Sequence, residues 1–259
     1  MNGFLTVGLL ALIQGLTEFL PVSSSGHLVI AQHFLAWNRA NVVLDATLHL
    51  GTAAAILVVF RRDVWDIVGG LFAGAPARRR SSLRMAAFIV LGSIPAGIAG
   101  IVFKDSVERM FLNPRTTGLL FFVTAAILFA TALRKKTTAP LDAPKVAAIG
   151  FAQALAILPG ISRSGATIST ALLFGTERKE AGRFAFLLGL PAILGAAVLE
   201  LRGASSASLP AGLLTEAFAI SFIIGVAALR LLLGFIDRGR LHWFGFYLVA
   251  LGIACLLFL

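Results

Sequence analysis

The sequence predicts an all-α integral membrane protein with six transmembrane helices and two re-entrant helical hairpins, arranged as an inverted-topology repeat. The composition predicts the class, because 58% of the 259 residues are hydrophobic and only 13% are charged, more apolar surface than a soluble core of this length buries. The pattern along the chain predicts the arrangement, because two apolar segments 139 residues apart carry the same polar interruption.

Six segments have the length and apolar composition of membrane spans, for which roughly 20 mostly apolar residues are needed. They lie at residues 43–60, 83–103, 116–133, 183–201, 213–233 and 241–259. Two further apolar stretches, residues 4–35 and 146–174, are broken in the middle by proline, glycine and serine, which predicts hairpins that enter the membrane and turn back. The alternative for each stretch is an ordinary transmembrane helix kinked at Pro21 or Pro159, with its serines bonded to backbone carbonyls.

The basic residues predict the orientation. If the N-terminus lies outside, residues 61–84, 134–183 and 230–240 are cytoplasmic and, with Arg163 set aside, hold 16 of the 22 basic residues. Short cytoplasmic loops of membrane proteins carry an excess of Lys and Arg, so both termini are expected outside. The same rule explains the net charge of +10, which therefore does not indicate a nucleic-acid partner. The exceptions are Arg163, which lies inside an apolar segment, and five residues in the outer loops: Arg39, Lys104, Arg109, Arg115 and Arg202.

An internal repeat divides the single membrane domain, residues 1–259, into halves at 1–134 and 146–259. When Gln14 is placed on Gln153, the run Ser23-Ser24-Ser25-Gly26 falls on Ser162-Arg163-Ser164-Gly165. Each half is one hairpin and three spans, and three is an odd number, so the second half is inserted upside down relative to the first. The two hairpin tips are therefore expected to meet near the midplane, where non-helical backbone is tolerated only inside protein or beside a wet cavity.

The first hairpin carries ionisable groups at membrane depth. Gln14 and Glu18 are four residues apart and share one helix face. A carboxylate there costs about 2.5 to 3.5 kcal/mol, so Glu18 is predicted to be functional unless it lies at a wet helix end. The serines after Pro21 favour a helix start whose free amides attract anions. His27 is a candidate general acid or base, and the alternative is a histidine that only caps a neighbour.

The second hairpin adds a permanent positive charge, since Arg163 offers a fork of donors suited to phosphate. Asp45 and His49 lie one helical turn apart. They are either a second acid and imidazole near the site or an i,i+4 pair at the outer membrane surface that interacts only with itself. Two opposed helix starts with these groups indicate a pocket for a highly charged phosphate. Its hydroxyls are Ser23, Ser24, Ser25, Ser162, Ser164, Thr167 and Ser169.

The two hairpins closely resemble the bacterial undecaprenyl-diphosphate phosphatase family of the BacA/UppP type. The similar motifs are QGLTEFLPVSSSGH at residues 14–27 and PGISRSGAT at residues 159–167. The resemblance implies hydrolysis of undecaprenyl diphosphate to undecaprenyl phosphate and inorganic phosphate. It also implies carrier-lipid recycling for the cell wall, bacitracin resistance and a place in the bacterial cytoplasmic (inner) membrane.

The family is metal-assisted, which implies that Gln14 and Glu18 supply oxygen ligands to a divalent metal, Mg²⁺ or Ca²⁺. In the first motif of the family, a residue with an acid or amide side chain is followed four positions later by a glutamate. This chain has the amide, Gln14, which can bind a metal through its carbonyl but cannot act as a base. An acid-base role therefore moves to Glu18 or His27.

The mechanistic hypothesis assigns catalysis to Glu18, Ser24, His27 and Arg163, on the periplasmic side. Ser24 attacks the terminal phosphorus and Glu18 or His27 takes its proton; a phosphohistidine at His27 or direct attack by water would use the same residues. The residues expected to bind substrate are Ser23, Ser25, Gly26, Ser162, Ser164, Gly165 and Thr167.

The competing hypothesis is a polyprenyl-phosphate transporter or flippase, because inverted repeats with broken helices are typical of transporters. The expected partners are the lipid and the membrane. The sequence leaves the oligomeric state open, a homodimer included.

Overall fold

The computed structural model describes residues 3–35, 42–134, 139–202 and 209–259. Arg39, which the sequence predicts in an outer loop, lies outside these residues. Within them the chain forms one 3₁₀ turn, Thr131–Leu133, and a series of α-helices. These are α1 Gly3–Thr17, α2 Ser24–Phe34, α3 Val42–Val59, α4 Arg61–Leu71, α5 Pro76–Val102, α6 Lys104–Phe111, α7 Pro114–Ala130, α8 Ala143–Leu155, α9 Arg163–Leu173, α10 Arg178–Arg202, α11 Ala211–Asp237 and α12 Trp243–Phe258.

Five helices in the described part of the chain are long and apolar enough to cross a membrane. They are α3, α5, α10, α11 and the continuous segment Pro114–Leu133. The helix at the sixth predicted span, α12, is apolar but has only 16 residues. Large apolar side chains cover the outside of the bundle, among them Val90, Ile101 and Ile223, each more than half exposed. A multi-pass membrane protein of the all-α class is therefore confirmed.

The helix boundaries differ from the prediction mainly in the segments that were expected to be loops. The segment predicted as a loop, residues 61–84, contains α4 and the first turns of α5. Helix α5 begins at Pro76, and proline is favoured in the first helical turn because its missing N–H would have no partner there. Hydropathy could not detect α4 or α6, because both are rich in charged residues.

Both broken segments fold as two helices joined by a turn. α2 and α9 have 11 residues each and begin 139 positions apart, at Ser24 and Arg163. The preceding residues, Ser23 and Ser162, cap these helices by accepting a hydrogen bond from the backbone N–H three residues on. Serine was predicted at these helix starts, and the caps confirm it.

The packing of the helices pairs the two halves of the chain. α1 packs against α11, α8 packs against α5, and α7 packs against α12. α3 lies between α10 and α11. A cluster of buried aromatic side chains, Phe19, Phe121, Phe184 and Phe186, belongs to the core that surrounds the hairpin turns. The turn in each broken segment is thus enclosed by protein.

Candidate active site

The tips of the two hairpins bind each other through their turns. The Gly160 backbone N–H donates to Ser23 Oγ at 3.1 Å, and Ser164 Oγ donates to the Leu20 carbonyl at 3.3 Å. Ser23 adopts φ 69°, a left-handed conformation that costs a non-glycine residue about 1 to 3 kcal/mol. The capping and inter-hairpin hydrogen bonds of its hydroxyl hold it there. The expected meeting of the two tips is therefore present.

Glu18 is the centre of the polar contacts between the hairpins. Its Oε2 accepts from Ser24 Oγ at 2.6 Å and from Gln14 Nε2 at 3.0 Å, and its Oε1 accepts from Arg163 Nη2 at 2.8 Å. Glu18 is buried, so the three donors replace the water that a carboxylate needs. A serine hydroxyl that donates to a carboxylate has the arrangement that a nucleophile and its base require.

Arg163 reaches Glu18 because the facing helix has no side chain in its path. A Cβ at Gly189 of α10 would collide with Arg163 Nη1. That nitrogen is buried and has no hydrogen-bond partner among the described residues. Buried donors are rarely left unpaired in proteins. A planar guanidinium with an unused N–H suits an anion such as phosphate.

A cavity of about 510 Å³ opens beside this cluster. Its polar wall at the hairpin tips is made of Glu18, Ser23, Ser24, Ser25, Ser162 and Arg163. Its apolar wall comes mainly from α5 and α10, through Ala96, Gly97, Gly100, Ala192, Gly195, Ala196 and Leu199. One volume therefore joins a site for a charged group to a surface that suits a hydrocarbon chain.

The cavity also has polar residues beyond the two hairpin tips, and among them are Asp45 and His49, as the first of the two sequence alternatives for this pair expected. His49 of α3 and Glu200 of α10 line it, with His49 Nδ1 at 3.3 Å from Glu200 Oε2, and Asp45 lies one turn before His49. The self-satisfied pair of Asp45 and His49 is thus not what forms. Gln153, the repeat counterpart of Gln14, lines the cavity as well. The 139-residue offset, which aligns Gln153 with Gln14, is the signal that could have identified Gln153, whereas nothing in the sequence linked Glu200 to His49.

Several predicted site residues lie behind the cavity wall. Thr167 donates its hydroxyl to the Arg163 carbonyl at 2.8 Å and so supports the first turn of α9. A Cβ at Gly26 would meet the Phe121 ring at 2.7 Å, and one at Gly165 would lie 3.3 Å from Pro21 Cβ, so both glycines allow close packing. Ser164 bonds Leu20 of the other hairpin, and Ser169 is buried with no partner in the described chain.

His27 is held at the side of the first hairpin. Its Nδ1 lies 2.8 Å from the Ser23 carbonyl and its Nε2 lies 2.8 Å from the Tyr247 hydroxyl of α12. The two rings are stacked, with 12° between their planes. Both ring nitrogens thus have partners, and His27 is not among the residues that line the cavity.

The residues expected to bind a metal offer two oxygen ligands. The described chain has no group of three or more His, Cys, Asp or Glu placed to hold an ion. Gln14 Oε1, however, is buried without a partner, four residues before the Glu18 carboxylate. Mg²⁺ is commonly held by one or two carboxylates, with substrate phosphates and water completing its shell. Glu18 lines the cavity and fits this role, whereas Gln14 turns its Nε2 toward Glu18 and is not among the residues that line the cavity.

Comparison with known proteins identifies the relatives of this chain. The model of the bacitracin resistance protein BacA family matches residues 7–254. A protein of Korarchaeum cryptofilum named undecaprenyl-diphosphatase is 40% identical over 256 residues, which cover 96% of each chain. Proteins of the same name from Desulfatibacillum aliphaticivorans and Carboxydothermus hydrogenoformans are 41% and 39% identical, and the matches cover 97% or more of both chains. The chain therefore belongs to the BacA family of bacitracin resistance proteins.

Proposed function

We propose that this protein is an undecaprenyl-diphosphatase, a membrane hydrolase that converts undecaprenyl diphosphate to undecaprenyl phosphate and inorganic phosphate. The observation that carries the proposal is the Ser24 hydroxyl, which donates to Glu18 at 2.6 Å beside Arg163 in a cavity with an apolar wall. Full-length relatives named undecaprenyl-diphosphatase support the same activity. Recycling of the carrier lipid for the cell wall and resistance to bacitracin follow from it.

The architecture that we propose for this enzyme has six spans, with α12 as the sixth, and two re-entrant hairpins formed by α1 with α2 and by α8 with α9. Two features support an inverted repeat of residues 1–134 and 146–259. The second helices of both hairpins have equal length and equivalent serine caps. The pairing of α1 with α11 has its counterpart in the pairing of α8 with α5.

Binding of the diphosphate begins at the two helix starts. Arg163 donates to the terminal phosphate, together with the hydroxyls of Ser23, Ser25 and Ser162 that line the cavity. The polyprenyl chain lies along α5 and α10. Gly26, Ser164, Gly165 and Thr167 shape the tips from behind. The arrangement brings the Ser24 oxygen to the phosphorus with its base already in place.

Hydrolysis then proceeds in two steps. In the first, Ser24 Oγ forms a bond to the terminal phosphorus, the bond from that phosphorus to the bridging oxygen breaks, and undecaprenyl phosphate leaves with the electron pair. The proton of Ser24 passes to Glu18 Oε2. In the second step, water adds to the phosphoserine, the Ser24 oxygen departs and recovers the proton from Glu18, and inorganic phosphate is released. Arg163 stabilises the negative charge in both steps.

The contacts of His27 favour Glu18 as the group that accepts the proton. Glu18 touches Ser24, whereas the two nitrogens of His27 are bonded to Ser23 and Tyr247. His27 acts in this proposal through the Ser23 carbonyl, because it stabilises the left-handed backbone that begins α2. A phosphohistidine at His27 would first require that ring to leave Tyr247.

We propose that a divalent metal, Mg²⁺ or Ca²⁺, assists the reaction, with Gln14 and Glu18 as its protein ligands. The unpartnered Gln14 Oε1 supports this assignment. When bound, such an ion neutralises charge on the phosphoryl group being transferred. The three carboxylates that line the cavity, Glu18, Asp45 and Glu200, give a second reason, because a trianionic substrate enters more easily as a metal complex.

Release of inorganic phosphate tests the activity and its metal dependence together. The purified protein is expected to release phosphate from undecaprenyl diphosphate, to stop when a chelator is added, and to recover when Mg²⁺ or Ca²⁺ is returned. Glu18→Gln is expected to be slower by about 10²- to 10⁴-fold, the usual contribution of a general base. Glu108→Gln, at an exposed carboxylate of α6, is the matched control and is expected to retain full activity.

Two outcomes would contradict these assignments. Undiminished hydrolysis in chelator would refute the metal. Tight binding of the lipid without any release of phosphate, by native protein that is folded, would instead favour the polyprenyl-phosphate transporter.

The active site is expected to face the periplasm. Asp45 lies near the N-terminal end of α3 and Glu200 near the C-terminal end of α10, the ends that the distribution of basic residues assigns to the outside. In vesicles with one known orientation, impermeant substrate is expected to be hydrolysed only when the periplasmic face is accessible. After detergent is added, vesicles of both orientations should hydrolyse the substrate at the same rate. Hydrolysis confined to inverted vesicles would reverse the assignment.

A further inference from the structure

We propose that His49, held by Glu200, forms a subsite for the phosphate that stays attached to the lipid. The proposal depends on the phosphatase function proposed above and adds the second half of the diphosphate-binding site. In this assignment Arg163 and Ser24 take the terminal phosphate, and His49 takes the leaving group.

The first argument is the position of His49. Its side chain lines the same cavity as Glu18, Ser24 and Arg163, and 22% of it is exposed. The hairpins supply no second cation to this cavity, so among the described residues that line it His49 is the other group able to carry positive charge. A diphosphate needs donors on both of its phosphoryl groups.

The second argument is the orientation of the ring. His49 Nδ1 is 3.3 Å from Glu200 Oε2, a contact between α3 and α10 that spans 151 residues of sequence. A carboxylate on one ring nitrogen sets the direction in which the other points, as in many sites where histidine acts on a ligand. In its imidazolium form the ring donates from both nitrogens, Nδ1–H to Glu200 and Nε2–H to a ligand in the cavity.

The third argument is the route of the hydrocarbon chain. Leu199 lines the cavity directly before Glu200, and Gly195 and Ala196 continue the same wall along α10. Gly97, Gly100 and Gly195 have open space where a side chain would be. A lipid chain on this wall reaches the polar part of the cavity beside Glu200 and His49. The phosphate that carries the chain therefore meets His49, and the free terminal phosphate extends to Ser24.

A donor from His49 to the lipid phosphate would assist the first chemical step. When Ser24 attacks the terminal phosphorus, negative charge grows on the bridging oxygen and on the lipid phosphate that departs. An N–H donor at that position stabilises the charge as it develops. The carboxylates that line the same cavity as His49 are those of Asp45, Glu200 and Glu18. They offset its charge, so the subsite can release the lipid phosphate after the reaction.

Competition between two inorganic anions tests the subsite. Pyrophosphate fills both phosphate positions and inorganic phosphate fills one, so each is measured as an inhibitor of hydrolysis and by direct binding to the purified protein. His49→Leu is expected to weaken pyrophosphate binding about tenfold or more and to change phosphate binding less than about twofold. His49→Gln keeps a neutral hydrogen-bond donor, so its affinity for pyrophosphate should fall less than that of His49→Leu. His33→Leu, at an exposed histidine of α2 outside the cavity lining, is the matched control.

The outcomes separate the subsite from the function. An unchanged ratio of pyrophosphate to phosphate affinity in His49→Leu, or an equal loss of both anions, overturns the subsite. If His49→Leu does not fold, the subsite is tested with His49→Gln and Glu200→Gln. The ratio of pyrophosphate to phosphate affinity must then fall in both variants. A native protein that binds both anions but releases no phosphate from undecaprenyl diphosphate refutes the proposed function instead.

Discussion

Arg163→Lys is expected to lower kcat/KM for undecaprenyl diphosphate by about a thousandfold. Lysine keeps the positive charge but lacks the planar guanidinium fork. In the native protein Nη2 of that fork contacts Glu18, and Nη1 has no partner among the described residues and is free for the phosphate. Removal of one preorganised donor from a transition-state site typically costs about 10²- to 10³-fold in rate. Phosphate release by purified protein in detergent measures the loss. Arg230→Lys, an exposed position of α11, is the matched control.

Arg163→Ala should add a structural cost to the catalytic one. It leaves the buried Glu18 carboxylate without its cation, which destabilises a protein by about 3 to 5 kcal/mol. Gly189→Ala offers an independent test, because the added methyl group would displace the guanidinium without changing its charge. Gly234→Ala, where open space surrounds the glycine, controls for the substitution. Full activity in both Arg163→Lys and Gly189→Ala would exclude Arg163 from the reaction.

Ser24→Ala is expected to abolish the covalent intermediate and to reduce kcat by about 10⁴-fold or more, since the loss of a nucleophile usually removes most of the catalysis. Acid quenching with substrate labelled in its terminal phosphate should leave label on Ser24 of the native protein and none on the variant. The control is Ser93→Ala, in the same cavity, because the Ser93 hydroxyl donates to the Ile89 carbonyl of its own helix. Label on His27, or on no residue, would refute the serine mechanism.

Long-range contacts explain which parts of the site could be predicted from the sequence. Glu18 and Arg163 are 145 residues apart and form an ion pair. They could be brought together in advance because the 139-residue repeat and the odd number of spans place the two hairpin tips opposite each other. His49 and Glu200 are as distant in sequence, but no repeat or motif connects them. Nothing in the sequence therefore singled out Glu200.

The sequence by itself determined the membrane class, five helices long and apolar enough to span a membrane, the turn that breaks each of the two remaining apolar segments, and the serine caps. Each of these depends on hydropathy or on hydrogen bonds within a few residues of the chain, so local patterns suffice. The tertiary structure decided that His27 binds Tyr247, that Gly189 makes room for Arg163, and that Glu200 reaches His49. Those facts depend on which faces of packed helices meet, and that is a property of the whole bundle rather than of any one segment.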